Sequence, residues 1–239
     1  MIPKKIHYCW FGGKELPKSA KKCIKSWKKF FPDYEIVEWN ESNYDVSKIK
    51  YIREAYEAKK YAFVSDYART EIIHREGGVY FDTDVEVIKD MTPIINNGPY
   101  AGMENEEYVN LGLGFAAEAN NPVCKELLDS YRDESFIYAD KSLNLKTIVT
   151  RLTEILKEHG LRKTGNEKQL IEGITIYPEE YFCPISTKDG KLRITPNTYT
   201  IHHFDQSWQP YSRKIGRKIA LLIGGERFKI FIKNIFKFK

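Results

Sequence analysis

Gly77-Gly78-Val79-Tyr80-Phe81-Asp82-Thr83-Asp84-Val85 holds the residues of this chain best placed to do chemistry. Two carboxylates one residue apart repel each other unless a cation or an arginine neutralises them. Oxygen donors of this kind suit Mg²⁺ or Mn²⁺, ions that usually bridge to substrate phosphates. The plain alternative is an exposed turn with two solvated aspartates, because Asp-x-Asp is common by chance. The apolar run Val79-Tyr80-Phe81 favours the first reading: it predicts a buried strand that delivers both aspartates to its carboxyl end, where ligands bind in open α/β sheets.

Three further groups carry candidate chemistry. Asp66 and Arg69 sit three residues apart, on one face of a predicted helix. They could form a local ion pair worth about 0.2–0.5 kcal/mol, or offer Asp66 to a ribose or sugar hydroxyl and Arg69 to a phosphate or sugar oxygen. Trp10 precedes Phe11-Gly12-Gly13. It either packs in the core or stacks on a flat base, with Gly12 and Gly13 letting a ligand approach the backbone. In His202-His203-Phe204-Asp205-Gln206-Ser207-Trp208, adjacent strand histidines point to opposite faces, so one of them reaches a given metal. Ser207 and Trp208 would then lie on a loop that closes over the ligand. Asn110-Leu111-Gly112-Leu113-Gly114-Phe115 is not a GxGxxG and reads as a glycine-kinked strand or a backbone approach for a sugar.

The elements that must position these groups follow from periodicity and punctuation. Strands are predicted over 5–11, 34–39, 79–81, 85–88, 100–103, 111–117, 174–177 and 199–202. Helices are predicted over 17–31, 45–59, 61–76, 122–131 and 145–159, the third closed by Gly77-Gly78. Strands alternating with helices predict an α/β fold with a mainly parallel central sheet and helices on both faces.

The length of 239 residues and the 42% hydrophobic content suit one α/β domain with a full core. No apolar run reaches the ~20 residues a membrane span needs. The first residues lack the apolar stretch of a signal peptide, so a cytoplasmic protein is expected. Cys9, Cys23, Cys124 and Cys183 form neither CxxC nor zinc spacing and are expected as free thiols. Charge is uneven: from Arg213 to Lys239 nine basic residues face Glu226 alone, which exceeds the whole net charge of +5 and leaves an acidic body. Apolar residues interleave with these lysines, so 211–239 reads as a basic amphipathic helical tail. It is either an ordinary solvated helix or an interfacial segment attracted to anionic lipid at about 1 kcal/mol per basic residue near the surface. That would place the protein on the inner face of the cell membrane. Nucleic acid is not expected as a partner, because no upstream motif matches a nucleic-acid module.

Taken together, Ile6-His7-Tyr8-Cys9-Trp10-Phe11-Gly12-Gly13, Ser65-Asp66-Tyr67-Ala68-Arg69, the Gly77–Asp84 stretch and His202-His203-x-x-x-Ser207-Trp208 resemble glycosyltransferase family 32. That family includes bacterial capsule and polysaccharide transferases, and its motifs recur in the clostridial glucosylating toxins. The resemblance covers residue 2 to about Pro210. It implies a GT-A domain over 1–210, followed by the tail at 211–239. It also implies retaining transfer of galactose, glucose or an N-acetylhexosamine from a UDP-sugar to a saccharide acceptor, expected to be lipid-linked, in capsule or cell-surface polysaccharide synthesis. In that frame Trp10 stacks on the base and Asp66 binds ribose or sugar hydroxyls. Arg69 meets the sugar and its phosphate side. Asp82 meets ribose and, through water, a Mn²⁺ or Mg²⁺ ion, which Asp84 ligates directly. The third metal ligand falls at His203 rather than His202.

Two rivals remain at this level. HAD-type phosphatases also place Asp-x-Asp after an apolar strand, but theirs is the first strand and continues with Thr or Val where this chain has Glu86. A non-enzymatic membrane-surface or nucleic-acid binding module would rest on the basic tail alone.

Overall fold

A computed structural model describes residues 1–163 and 167–205. Ser207, Trp208 and the 211–239 tail therefore lie outside the described residues. The chain runs β1 (Lys5–Cys9), α1 (Lys18–Phe30), β2 (Glu35–Trp39), α2 (Lys50–Glu57), α3 (Tyr61–Glu76), β3 (Gly78–Tyr80), β4 (Val85–Val87), α4 (Thr92–Ile95), β5 (Tyr100–Met103) and β6 (Val109–Asn110). A single 3-10 turn at Leu111–Leu113 follows, then β7 (Phe115–Ala117), α5 (Pro122–Asp129), α6 (Ile148–Glu158), β8 (Gln169–Ile171), β9 (Ile174–Tyr177), α7 (Glu179–Phe182) and β10 (Thr200–His202).

The central sheet has the order β2-β1-β3-β7-β5-β9-β8, with β6 paired to β5. Pairs β1–β2, β1–β3 and β5–β9 are parallel, while β7 runs antiparallel between β3 and β5. The carboxyl ends of β1, β2, β3, β5 and β9 therefore share one edge. Side chains alternate across the sheet. Val79 and Phe81 join a core on the face covered by α1, α4 and α7, and Tyr80 joins the core covered by α2, α3, α5 and α6. Helices thus cover both faces.

His7 ties β1 to β2 and to the end of α3. Trp39 Nε1 on β2 donates to His7 Nδ1 at 3.0 Å, and His7 Nε2 lies 3.0 Å from the Gly77 carbonyl, to which it donates. That pattern requires the neutral tautomer with its proton on Nε2. Burial, first of all, pushes the imidazole pKa down from 6.5 to about 4, against the Gly77 carbonyl bond, which raises it. The close approach needs glycine: Gly77 and Gly78 have φ of 65° and 108°. A Cβ at Gly78 would also sit 2.9 Å from the Lys5 carbonyl oxygen and 3.0 Å from His7 Nε2.

The structure departs from the sequence reading in identifiable places. The strand predicted over 111–117 is the 3-10 turn followed by β7, because the Asn110 side chain accepts from Gly112 N at 2.7 Å and Gly114 turns at φ 120°. The helix predicted from residue 45 starts at Lys50, because the Asp45 side chain bonds the Ser47 amide and hydroxyl and holds a turn there. The short α4, β8 and α7 had no periodic pattern long enough to announce them.

Candidate active site

Asp82 follows β3 directly, and Asp82–Asp84 is a turn closed by the Val85 amide on the Asp82 carbonyl at 3.0 Å. The chain then enters β4, which pairs with β10 as a two-stranded antiparallel ribbon in the register Thr200–Val87, Ile201–Glu86, His202–Val85. Helix α1 holds this ribbon: Trp27 Nε1 donates to the Val85 carbonyl at 2.8 Å, and Val87 N donates to Ser26 Oγ at 2.9 Å. The two aspartates therefore belong to two different pieces of structure, Asp82 to the central sheet and Asp84 to the ribbon.

Asp82 is clamped by Arg69 on α3. Arg69 Nη1 donates to Asp82 Oδ2 at 3.1 Å, and Nη2 lies 3.1 Å from Oδ1, a bidentate fork. Tyr80 Oη donates to Oδ1 at 3.1 Å, and the Arg69 guanidinium lies over the Tyr80 ring. Arg69 Nη2 is also 3.2 Å from Asp66 Oδ1, while Asp66 Oδ2 accepts the Ile148 amide at the start of α6 at 3.2 Å. Both expectations for the Asp66–Arg69 pair need refining. They do form the local ion pair, but the guanidinium is buried and committed to two carboxylates rather than turned outward to a phosphate. Burial pushes Asp66 up to about 6, against Arg69 and the Ile148 amide, which pull it down. Burial also raises Asp82, and the neighbouring Asp84 charge adds to this against Arg69.

Asp84 meets a histidine. His202 Nε2 lies 3.2 Å from Asp84 Oδ1, and the Asp205 amide donates to Asp84 Oδ2 at 2.8 Å. Burial alone would raise the carboxyl, but the His202 charge and hydrogen bond together with the amide hold it down at about 2. Burial alone would lower His202, and Asp84 outweighs it, so the imidazole is held protonated. The expected ligand His203 is corrected to His202: His203 Nε2 sits 2.8 Å from Glu86, which Lys22 also pairs at 3.0 Å. Strand alternation did separate the two histidines. What it could not show is the Asp82–Asp84 turn, which swings Asp84 out of the period-2 pattern of β4 and over to His202.

Asp82, Asp84 and His202 each bring a ligand atom within 4.8 Å of the others, a donor set of two carboxylates and one imidazole that fits Mn²⁺ or Mg²⁺. A proton and a divalent cation would compete for His202 Nε2. The site also depends on Gly112, which no spacing rule singled out. Its carbonyl accepts the Asp82 amide at 3.1 Å, and a Cβ there would collide with the Asp82 carboxylate and come within 2.8 Å of Arg69 Nη1. The Asn110–Phe115 stretch, expected as a glycine-kinked strand or a backbone approach for a sugar, brings Gly112 against Asp82.

The other expected residues line the same edge. Trp10 follows β1, half-buried, with its Nε1 donating to the Lys14 carbonyl at 2.5 Å. Gly12 N donates to Glu41 Oε1 at 2.6 Å, and a Cβ on Gly12 would press on the Tyr61 ring. Gly13 has open space around it.

The family described as "Glycosyltransferase sugar-binding region containing DXD motif" matches residues 17–101, a segment that includes Asp66, Arg69, Asp82 and Asp84. The chain is 24% identical over 275 residues to "Subversion of eukaryotic traffic protein A" of Legionella pneumophila, an alignment covering 90% of this chain and 40% of that protein. The chain therefore spans about 40% of the length of the curated relative it matches. Among solved structures it resembles the "PaToxG Glycosyltransferase", with a TM-score of 0.50, 22% identity and coverage of 66% of this chain and 69% of the other. The galactosyltransferase LgtC, solved with donor and acceptor sugar analogs, gives a TM-score of 0.45 and 13% identity over 84% of this chain and 87% of that one. The fold is accordingly of the GT-A type. The segment that resembles that glycosyltransferase region holds one Asp-x-Asp, Asp82-Thr83-Asp84. The match runs through the strand that the phosphatase reading would have needed, and counts against it.

Proposed function

We propose that this chain is a divalent-cation-dependent retaining glycosyltransferase. It would move galactose, glucose or an N-acetylhexosamine from a UDP-sugar to a saccharide acceptor, lipid-linked, in capsule or cell-surface polysaccharide synthesis. The observation that carries the reading is the convergence of Asp82, Asp84 and His202 at the carboxyl edge of the sheet, with both aspartates inside the segment that resembles a glycosyltransferase Asp-x-Asp region. Asp84 and His202, with Asp82, would hold the Mn²⁺ or Mg²⁺ ion. When bound, that ion supplies positive charge against the leaving diphosphate.

The chain's own residues do the rest by position. Arg69 and Tyr80 fix the Asp82 carboxylate, and Gly112 leaves room for it. Asp66, held by Arg69 and the α6 amide, would receive ribose or sugar hydroxyls. Trp10, beside Gly12 and Gly13, would lie along the base. The acceptor hydroxyl attacks the anomeric carbon on the face that the diphosphate leaves. The carbon–phosphate-oxygen bond breaks, and the departing oxygen takes the hydroxyl proton. No carboxylate of the site is assigned as a covalent nucleophile, so catalysis rests on positioning and charge stabilisation.

The test is UDP release across a panel of UDP-sugars with Mn²⁺, Mg²⁺ or EDTA. We expect cation-dependent release that Asp84→Asn abolishes. Phosphate release from generic phosphoesters, with no UDP from any donor, would overturn the reading.

A further inference from the structure

Helix α1 carries a charge pattern that its packing does not require. Between Lys14 and Phe31 the sequence holds seven lysines and a single acid, Glu15. Ala20, Cys23 and Trp27 are buried, Trp27 on the Phe81 ring with centroids 5.4 Å apart, and Ile24, Ser26 and Phe30 are half-buried beside them. Lys18, Lys21, Lys22, Lys25, Lys28 and Lys29 are all exposed. At 3.6 residues per turn those six lysines share an arc of about 120° on the opposite side of the helix.

Like charges three or four residues apart destabilise a helix. Lys18–Lys22, Lys21–Lys25 and Lys25–Lys29 are all such pairs. Lys18 also meets the positive end of the helix dipole, in a first turn that holds no acid. Other helices use the same spacing to join opposite charges: Lys50–Glu54 on α2, Glu71–Arg75 on α3 and Lys125–Asp129 on α5. On α1, among the described residues, Lys22 alone of the six pairs with a carboxylate, Glu86 at 3.0 Å. A stripe of one sign, held against its own repulsion, calls for an anion outside the chain.

The stripe is lysine throughout. It offers no guanidinium fork and no exposed aromatic ring, the groups that read or stack on bases. Compact ammonium groups on flexible stems suit the diffuse negative potential of a bilayer. We propose that the lysine face of α1 docks the protein on an anionic lipid surface. This contact belongs to the described body and is separate in the chain from 211–239. Helix α1 begins soon after Trp10, at the carboxyl edge, and the Lys22–Glu86 pair joins it to the ribbon that carries Asp84. Docked by this face, the molecule would hold that edge beside the bilayer. Binding needs neither donor nor cation, so it stands apart from the glycosyltransferase reading.

The experiment is the partition of the full chain, with no donor or cation added, onto phosphatidylcholine vesicles with and without phosphatidylglycerol. The wild type should bind the vesicles that contain phosphatidylglycerol and be released by salt. One lysine near such a surface is worth about fivefold in partition. Lys18→Gln, Lys21→Gln, Lys25→Gln and Lys28→Gln combined should therefore weaken binding at least about a hundredfold. Glutamine and lysine have similar helix propensities, so the helix is kept. A matched control changes Lys50, Lys59, Lys125 and Lys157 to Gln on the other side of the sheet and should stay within about twofold of the wild type. Should the combined variant not fold, Lys21→Gln and Lys25→Gln, one at a time, are each expected to lose about fivefold. Undiminished binding by the α1 variants overturns the proposal. So does a control that falls as far, which would make the attraction a matter of total charge. Duplex DNA bound by the wild type and lost by the combined variant, with vesicle partition equal in the two, would assign the stripe to nucleic acid and overturn lipid docking.

Discussion

Gly112 has no side chain because Asp82 occupies that volume, and the Arg69 fork lies directly behind. Gly112→Ala should therefore act on the site before it acts on the fold. Overpacking of this kind typically costs about 1–3 kcal/mol, and a displacement near 1 Å at a reacting centre costs about a hundredfold in rate. We expect kcat/KM for UDP release to fall about that far while the melting curve stays cooperative. Full activity in a folded Gly112→Ala would show that Asp82 needs no fixed position. At this scale the sequence was informative where chemistry is local. Asp82, Asp84, Asp66 and Arg69 were named from residue type and spacing alone, and all four meet in space. The choice between His202 and His203 was not legible, because it depends on a three-residue turn and on the register of a strand more than a hundred positions away. Tyr80 was read as core and is core, yet its hydroxyl also reaches Asp82.

Among the elements, β1 carries a proton-sensitive clasp. His7 is neutral in the folded chain, with a pKa near 4 set first by burial, whereas in the unfolded chain it titrates near 6.5. Between those values the unfolded chain binds the extra proton, so stability rises with pH. The contribution is fully present above about pH 6.5 and is lost as the pH falls toward 4. A difference of that size is worth about 3 kcal/mol at most. The urea midpoint of the wild type should thus drop more steeply between pH 7 and 4.5 than that of His7→Gln, which cannot titrate. Parallel slopes would remove His7 from the account. Element boundaries were legible where strong punctuation marks them. Helix α3 runs from Tyr61 to Glu76 as expected, because Gly77-Gly78 can take the positive φ that ends it. They were not legible where one side chain redirects the backbone, as Asn110 and Asp45 do.

For the whole molecule, the acidic body and the basic 211–239 segment ask for different partners. Among the described residues no helix is long and apolar enough to cross a membrane. We propose that 211–239 holds the enzyme against an anionic lipid surface, where a lipid-linked acceptor would be presented. A chain ending at residue 210 should sediment with anionic vesicles far less than the full chain, and the loss should be mimicked by high salt. Equal sedimentation of the two chains would sink the idea. Parallel-sheet direction and two-sided helix cover were legible because apolar periodicity alternates between the two element types. The antiparallel insertion of β7 and the separate β4–β10 ribbon were not, since pairing partners leave no mark on a single strand. That ribbon also sets an order of events during synthesis. Glu86 and His203, which face each other across it, are 117 residues apart in the chain. A nascent chain that has emerged only as far as residue 101 holds both aspartates and neither histidine. Long-range closure of this kind comes late in folding, so the Asp82, Asp84 and His202 cluster is completed only when the last described strand docks. Until then the growing polypeptide holds the two carboxylates without the imidazole that completes the cluster.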